Sequence, residues 1–287
     1  MTRVLALLIG DELLDGRISD ENAAWLAGEL GHRGRELEAI RVVPDDRERI
    51  VAALDAVDDE ADLVIASGGL GPTSDDVTRD AAAEWAGDDL VLDEGMLEEL
   101  EARFEAHGYP FTPNNRRQCE FPASANVLET KVGTAAGFEV TKGTTKAVFL
   151  PGVPSEFEWF CNKHILPEFD DDITGIIRQN MTFLGLGESQ LETKLSGLDE
   201  LLASLDARIS YRANYPVIDV DLKAEDHDAI AELRDFVVDR IGAWLASEGD
   251  TPVAKRLGEL LVERDATVTI AESCTAGWLG KEITSVA

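Results

Sequence analysis

Apolar positions in the first 170 residues alternate between strand-length runs and stripes of helical spacing. Arg3 to Ile9 and Asp62 to Ser67 are nearly continuous apolar runs, and Leu37 to Val43 reads as a strand ended by Pro44. Between them, Asp20 to Leu30 puts Ala23, Leu26, Ala27 and Leu30 on one helix face, and Asp46 to Val57 predicts a second helix. Strand, helix, strand, helix, strand is the pattern of a sheet buried on both faces. A three-layer αβα domain with a mostly parallel sheet is therefore predicted. Asp80 to Trp85 continues the alternation as a helix, Glu94 to His107 is amphipathic, and Gly137 to Val140 and Lys146 to Leu150 read as strands. Pro151 to Pro154 breaks the chain before a helix from Ser155 to Lys163, and this first domain spans residues 1–169.

The acidic triplet Asp170-Asp171-Asp172 reads as a linker. Beyond it a small α+β domain, 173–250, is predicted from strands at 176–185, 207–213 and 217–223 and helices at 188–195 and 227–245. A third unit, 252–287, begins with a helix from Val253 to Glu263 and a strand from Thr267 to Ala271, too little to bury a core alone.

The densest chemistry follows the third strand, in Gly68-Gly69-Leu70-Gly71-Pro72-Thr73-Ser74-Asp75-Asp76-Val77-Thr78. Open α/β sheets bind ligands at the carboxyl ends of their strands, and glycines let backbone N–H groups approach an anion. Gly68, Gly69 and Gly71, with the hydroxyls of Thr73 and Thr78, are the candidate phosphate ligands. Carboxylates beside a phosphate repel it unless a cation lies between, so the loop points to a divalent metal together with a phosphoester. Helix capping by Thr73, Ser74 or Asp75 accounts for only part of this composition. The first strand likewise runs into Gly10-Asp11-Glu12-Leu13-Leu14-Asp15-Gly16, where Asp20 reads as an N-cap and Asp15-Gly16 as a turn. Asp11, Glu12 and Asn22 remain unexplained by local structure. Asp45 and Asp46 begin a helix, which accounts for at least one of them. Asn114 to Gln118 supplies amide and guanidinium donors suited to a sugar or phosphate, and Leu150 to Glu156 is a rigid strand-end turn with an acid in the next helix.

Composition narrows the partners. The 287 residues carry 57 acids against 26 bases, a net charge of −31. That field repels nucleic acid and anionic membranes, and self-repulsion on this scale suits a high-salt interior and suggests a halophilic source. The three cysteines, Cys119, Cys161 and Cys274, form no disulfide framework or metal knuckle. With no signal peptide or long apolar run, a cytoplasmic location is expected.

Taken together, GDELLDGRISDEN, GGLGPTSDDVT, PNNRRQ, GTAAGF, LPGVPSE and FLGLGESQLE resemble the competence/damage-inducible CinA family over nearly the whole chain. The resemblance implies a molybdopterin-binding-type first domain acting as a metal-dependent ADP-ribose pyrophosphatase that yields AMP and ribose 5-phosphate. It implies catalytic roles for Asp11, Glu12, Asp75 and Asp76, with Asp76 foremost, and a Mg, Mn or Co ion on Asp11, Asp75 and Asp76. Asn22, Asn115, Gln118, Gly152 and Glu156 are the expected substrate contacts. The same fold also serves molybdopterin-binding or adenylylating transferases, and a non-catalytic nucleotide sensor is the remaining alternative. The middle domain resembles the KH-type insert of the family. Its Gly185-Leu186-Gly187-Glu188 is not a G-x-x-G clamp, so it reads as a spacer or dimerisation unit, and a homodimer is expected. Glu272-Ser273-Cys274-Thr275-Ala276-Gly277 resembles the start of a nicotinamide mononucleotide deamidase domain, with alanine at 276 where the family usually has glycine. Ser273 matches the nucleophile, but the lysine base of the family comes from a segment beyond Ala287. No deamidation is expected, and Ser273 reads as a helix cap.

Overall fold

The computed structural model describes residues 2–57, 60–128, 130–170, 175–249 and 251–285. The chain divides into two compact units, 1–173 and 174–287. Asp171 and Asp172 of the expected linker lie outside the described residues.

In the first unit the strands and helices alternate as β1 (Val4–Ile9), α1 (Asp11–Leu14), α2 (Asn22–His32), β2 (Leu37–Val43), α3 (Arg47–Asp55), β3 (Leu63–Ser67) and α4 (Thr78–Ala86). They continue through β4 (Leu90–Leu92), α5 (Glu94–Ala106), a 3-10 turn at Pro113–Cys119, β5 (Glu120–Pro122), β6 (Asn126–Leu128), β7 (Gly137–Lys142), β8 (Thr145–Leu150) and α6 (Pro154–Phe160). Among the described residues the main sheet has the order β2-β1-β3-β8-β7-β6. β2, β1, β3 and β8 are parallel, while β7 runs antiparallel to both β8 and β6.

The period-2 geometry of a strand sorts the two cores. Leu5, Leu7 and Ile9 of β1 point into a cluster with Ile50 and Leu54 of α3, Ala81, Ala82 and Trp85 of α4, and Phe138 and Phe149. Val4, Ala6 and Leu8 point the other way, to Leu26 and Leu30 of α2 and Phe157 and Phe160 of α6. Both faces are covered, which is the three-layer αβα arrangement. Helix starts follow their caps: Asp46 accepts from the Arg49 N–H at 2.9 Å, and Asp20 accepts from the Ala23 N–H at 3.0 Å. Thr73, Ser74 and Asp75 do not cap α4, which begins at Thr78 with no side-chain cap.

Register positions the site. Leu8, Ser67 and Leu150 lie side by side near the ends of β1, β3 and β8. The loops that follow these strands therefore leave the sheet at one edge. Because the chain passes from β1 outward to β2 and then back across to β3, the order reverses between β1 and β3, where a crevice opens.

The second unit contains β9 (Ile177–Leu184), α7 (Glu188–Lys194), α8 (Leu198–Ser204), β10 (Arg208–Asn214), β11 (Val217–Ala224), α9 (His227–Ile241), β12 (Leu245–Glu248), α10 (Val253–Glu263) and α11 (Trp278–Thr284). An antiparallel sheet β10-β11-β9-β12 packs Met181, Phe183, Val220 and Leu222 against Leu233, Val237 and Ile241 of α9. Two expectations are corrected here. The helix expected to reach Leu245 ends at Ile241, and Leu245–Glu248 instead pairs with β9. Thr267–Ala271 forms no strand, since no neighbour among the described residues supplies its hydrogen bonds.

Candidate functional site

Strand ends β1, β3 and β8 and the turn after β2 enclose a cleft of about 640 Å³. Gly68 and Gly69 form its floor. Gly68 has φ of +114°, and a Cβ there would lie 2.1 Å from the Ile9 carbonyl oxygen, so only glycine lets the β3 turn pass this close to β1. Asn22, buried at the start of α2, fastens the wall: its Nδ2 donates to Ser67 Oγ at 2.8 Å and to the Gly152 carbonyl at 2.9 Å. One amide side chain thus ties three strand-end segments together. Its Oδ1 is buried without a partner among the described residues.

The loop glycines divide their amides in a way the sequence could not show. Gly68 N–H donates to the Leu150 carbonyl at 3.1 Å, and Gly71 N–H donates to Asp76 Oδ1 at 2.8 Å. Neither of those two is open to a phosphate in this conformation. Gly69 N–H has no hydrogen-bond partner among the described residues and remains for a ligand. Thr78 is not brought to the cleft. Its side chain is buried and its hydroxyl donates to the Gly68 carbonyl at 2.9 Å, with a Cβ on Gly69 reaching Thr78 Oγ1 at 2.2 Å.

Asp76 has a structural task. Oδ2 accepts from the Thr73 N–H at 2.7 Å and the Thr73 hydroxyl at 2.5 Å, while Oδ1 takes the Gly71 N–H. The carboxylate folds the turn around itself. Beneath it lies Arg79, a residue sequence reasoning passed over. It is almost wholly buried and donates to the Leu70 carbonyl at 2.9 Å. Burial lowers its guanidinium to about 10, and the negative charge of Asp76 works against that fall.

Glu12, Asp45, Asp75 and Asp76 line the cleft, and Asp11 does not. From sequence, capping accounts for at least one of Asp45 and Asp46. Capping falls to Asp46 alone, and Asp45 faces the cleft, accepting the Asp11 N–H at 2.9 Å. Partial burial holds the Asp45 carboxyl above its ordinary 3.8; the Asp11 N–H opposes this, and the neighbouring Glu12, Asp11 and Asp75 carboxylates add to it. Burial also raises Glu156, in the first turn of α6. Asp75 is exposed and held low by hydrogen bonding within its own turn. Among the described residues no three His, Cys, Asp or Glu side chains converge into a preformed metal cage.

On the opposite wall Gln118 reaches the cleft, and Asn115 stands behind it. Gln118 Nε2 donates to Asn115 Oδ1 at 3.0 Å, Asn115 Nδ2 donates to Thr112 Oγ1 at 3.0 Å, and Thr134 Oγ1 donates to Gln118 Oε1 at 3.3 Å. Arg117 pins the loop from outside, through the Thr73 carbonyl at 3.1 Å and Asp80 at 2.6 Å. Gly152 lies at the cleft mouth, where a Cβ would meet Gly68 Cα at 3.4 Å.

In the second unit Ser273 is exposed and is not the helix cap. Glu272 accepts the Leu279 and Gly280 N–H groups, each at 2.8 Å, and does the capping of α11. Ala276 sits at φ of +49°, a conformation that favours glycine.

Residues 5–171 match the family described as "Probable molybdopterin binding domain", and residues 250–287 match the CinA C-terminal domain. A CinA-like protein of Geobacter sulfurreducens is 38% identical over 294 residues, covering 99% of this chain and 71% of that protein. A CinA-like protein of Escherichia coli O17:K52:H18 is 36% identical over 288 residues, again covering 99% and 71%. The crystal structure of a CinA protein of unknown function from Thermoplasma acidophilum covers 60% of this chain and 98% of its own, at 34% identity and a TM-score of 0.52.

Proposed function

The chain belongs to the CinA family, and we propose that its first unit hydrolyses a nucleoside diphosphate sugar, ADP-ribose to AMP and ribose 5-phosphate, with a divalent metal ion. The observation that carries the reading is the placement of Glu12, Asp45 and Asp75 around a cleft floored by the Gly68-Gly69 turn. Acids crowded where the backbone favours an anion leave negative charge uncompensated; partial burial raises the Asp45 carboxyl, and the neighbouring carboxylates add to that rise.

The donor set fits a hard cation, being all oxygen. A metal of this class is ordinarily held by one or two carboxylates together with substrate phosphates. Glu12, Asp45 and Asp75 would hold it, with Asp11 beside them. When bound, such an ion polarises a phosphoryl oxygen and lowers the pKa of water. Gly69 N–H would bind a diphosphate oxygen. Asp76 and Arg79 would keep the turn in shape, and Asn22 and Gly152 would fix the width of the cleft. Glu156, raised by burial, is the carboxyl suited to exchange a proton at its Oε atoms.

The second reading, binding or adenylylation of molybdopterin, is favoured by the domain family that the first unit matches. Incubation with ADP-ribose and Mg²⁺, Mn²⁺ or Co²⁺ separates the two. Release of AMP supports the hydrolase, whereas binding of molybdopterin without AMP release supports the alternative.

A further inference from the structure

Beside the cleft lies a second recess of about 660 Å³, between the end of α5 and the loop at 130–134. Its character runs against the rest of the chain. In a protein of net charge −31, it is lined by Arg103, His107 and Lys131 and, among the described residues, by no acid. Phe104 and Tyr109 make the remaining wall aromatic. Tyr109 is 67% exposed, and its ring lies within 5° of parallel to that of His107, with the centroids 6.5 Å apart.

The recess is held in shape. Arg103 Nη1 donates to the Gly133 carbonyl at 2.8 Å and Nη2 to the Thr130 carbonyl at 3.4 Å, which fastens the loop to α5. His107 Nδ1 lies 2.8 Å from the Arg103 carbonyl, so this nitrogen carries a proton and the ring is oriented. Lys131 is exposed and holds no hydrogen bond or ion pair among the described residues, which leaves its ammonium for a ligand. The recess also adjoins the cleft. Thr134 lines both spaces, and a Cβ on Gly133 would fall 2.3 Å from Glu156 Oε1, so only glycine backbone separates the recess from that carboxyl.

A nucleoside diphosphate sugar has a planar base at one end, two phosphates in the middle and a sugar at the other. Aromatic faces stack on a planar base, and a lysine beside them answers the adjoining phosphate. We propose that this recess binds the nucleoside monophosphate half of the substrate, its base against Tyr109 and His107 and its phosphate toward Lys131, with the diphosphate bridge passing Thr134 into the cleft. The inference rests on the reading of the cleft as a nucleotide-sugar site and specifies which end of the molecule lies where.

The test is calorimetric titration of the full chain with AMP and, separately, with inorganic diphosphate in the presence of Mg²⁺, for the wild type, Tyr109→Ala and Lys131→Ala. Both positions are exposed, so the fold is retained. We expect each variant to bind AMP at least about fivefold more weakly, as loss of a stacking face or a phosphate contact implies, with diphosphate affinity unchanged. AMP affinity within twofold of wild type in both variants, or no AMP binding by the wild type, overturns the inference. If the wild type binds AMP with the expected losses in the variants but cleaves no ADP-ribose, the recess stands and the hydrolase reading fails.

Discussion

At the scale of single residues, the acids of the cleft separate by what each carboxylate already holds. Asp76 accepts three hydrogen bonds from its own loop. Asparagine would offer one oxygen and turn an NH₂ toward Thr73 donors. Asp76→Asn is expected to cost about 1–3 kcal/mol of stability and, by displacing the turn, to lower kcat/KM about 100-fold; wild-type melting together with full turnover would contradict that role. Asp45 behaves oppositely. Its carboxyl is raised above 3.8, so its contribution to stability is complete below that pH and is lost as pH rises through the folded value. Asp45→Asn keeps an acceptor for the Asp11 N–H and removes the charge. The variant should melt about 1–3 °C above wild type at pH 7, with the gap closing toward pH 4, while turnover falls. Calorimetry across that range checks it, and a variant no more stable than wild type at pH 7 would count against the crowding argument. Strand-end position is legible from pattern, which is why Asp11, Glu12, Asp75 and Asp76 could be grouped from sequence, although Asp11 does not line the cleft. Pattern could not reveal that Asp76 folds inward or that Asp45 faces the cleft, since adjacent aspartates before a helix look alike until one of them caps.

At the scale of elements, the site depends on strand ends held within van der Waals reach. Gly68→Ala puts a methyl 2.1 Å from the Ile9 carbonyl at a φ of +114°. Gly16→Ala, at φ of +77° with nothing within 4 Å, carries only the conformational penalty. The first should cost clearly more than the about 1–2 kcal/mol expected of the second and should abolish nucleotide binding. Equal losses in denaturant melts of the two variants would mean that the β1–β3 approach is not what positions the turn. The alternating strands and helices of the first unit were readable because both sheet faces are buried and the helices carry one apolar stripe each. The second unit was less so. Leu198–Ser204 is a single short helix, and Leu245–Glu248 follows Ile241 at helical spacing, yet becomes a strand because β9 offers an open edge. Thr267–Ala271 has strand-forming residues and no such edge, which shows that β propensity needs a neighbour.

At the scale of the whole molecule, a net charge of −31 sets how stability answers to salt. The 26 bases can pair with fewer than half of the 57 acids, as Arg3 does with Asp62 at 3.2 Å, and the remainder repel one another over the Debye length, about 10 Å at 0.1 M and about 3 Å at 1 M. The melting temperature should therefore climb continuously from low salt to molar KCl, and a flat or falling profile would assign the acidity another cause. The same field disfavours an anionic substrate unless cations gather at the site, which joins the charge of the molecule to the chemistry of the cleft. That junction is tested most directly by following AMP and ribose 5-phosphate from ADP-ribose with the metal-stripped chain, before and after addition of Mg²⁺, Mn²⁺ or Co²⁺. No products are expected without metal, and equimolar AMP and ribose 5-phosphate with it. Products formed at the same rate in the stripped protein, or none with any of the three ions, would contradict that expectation.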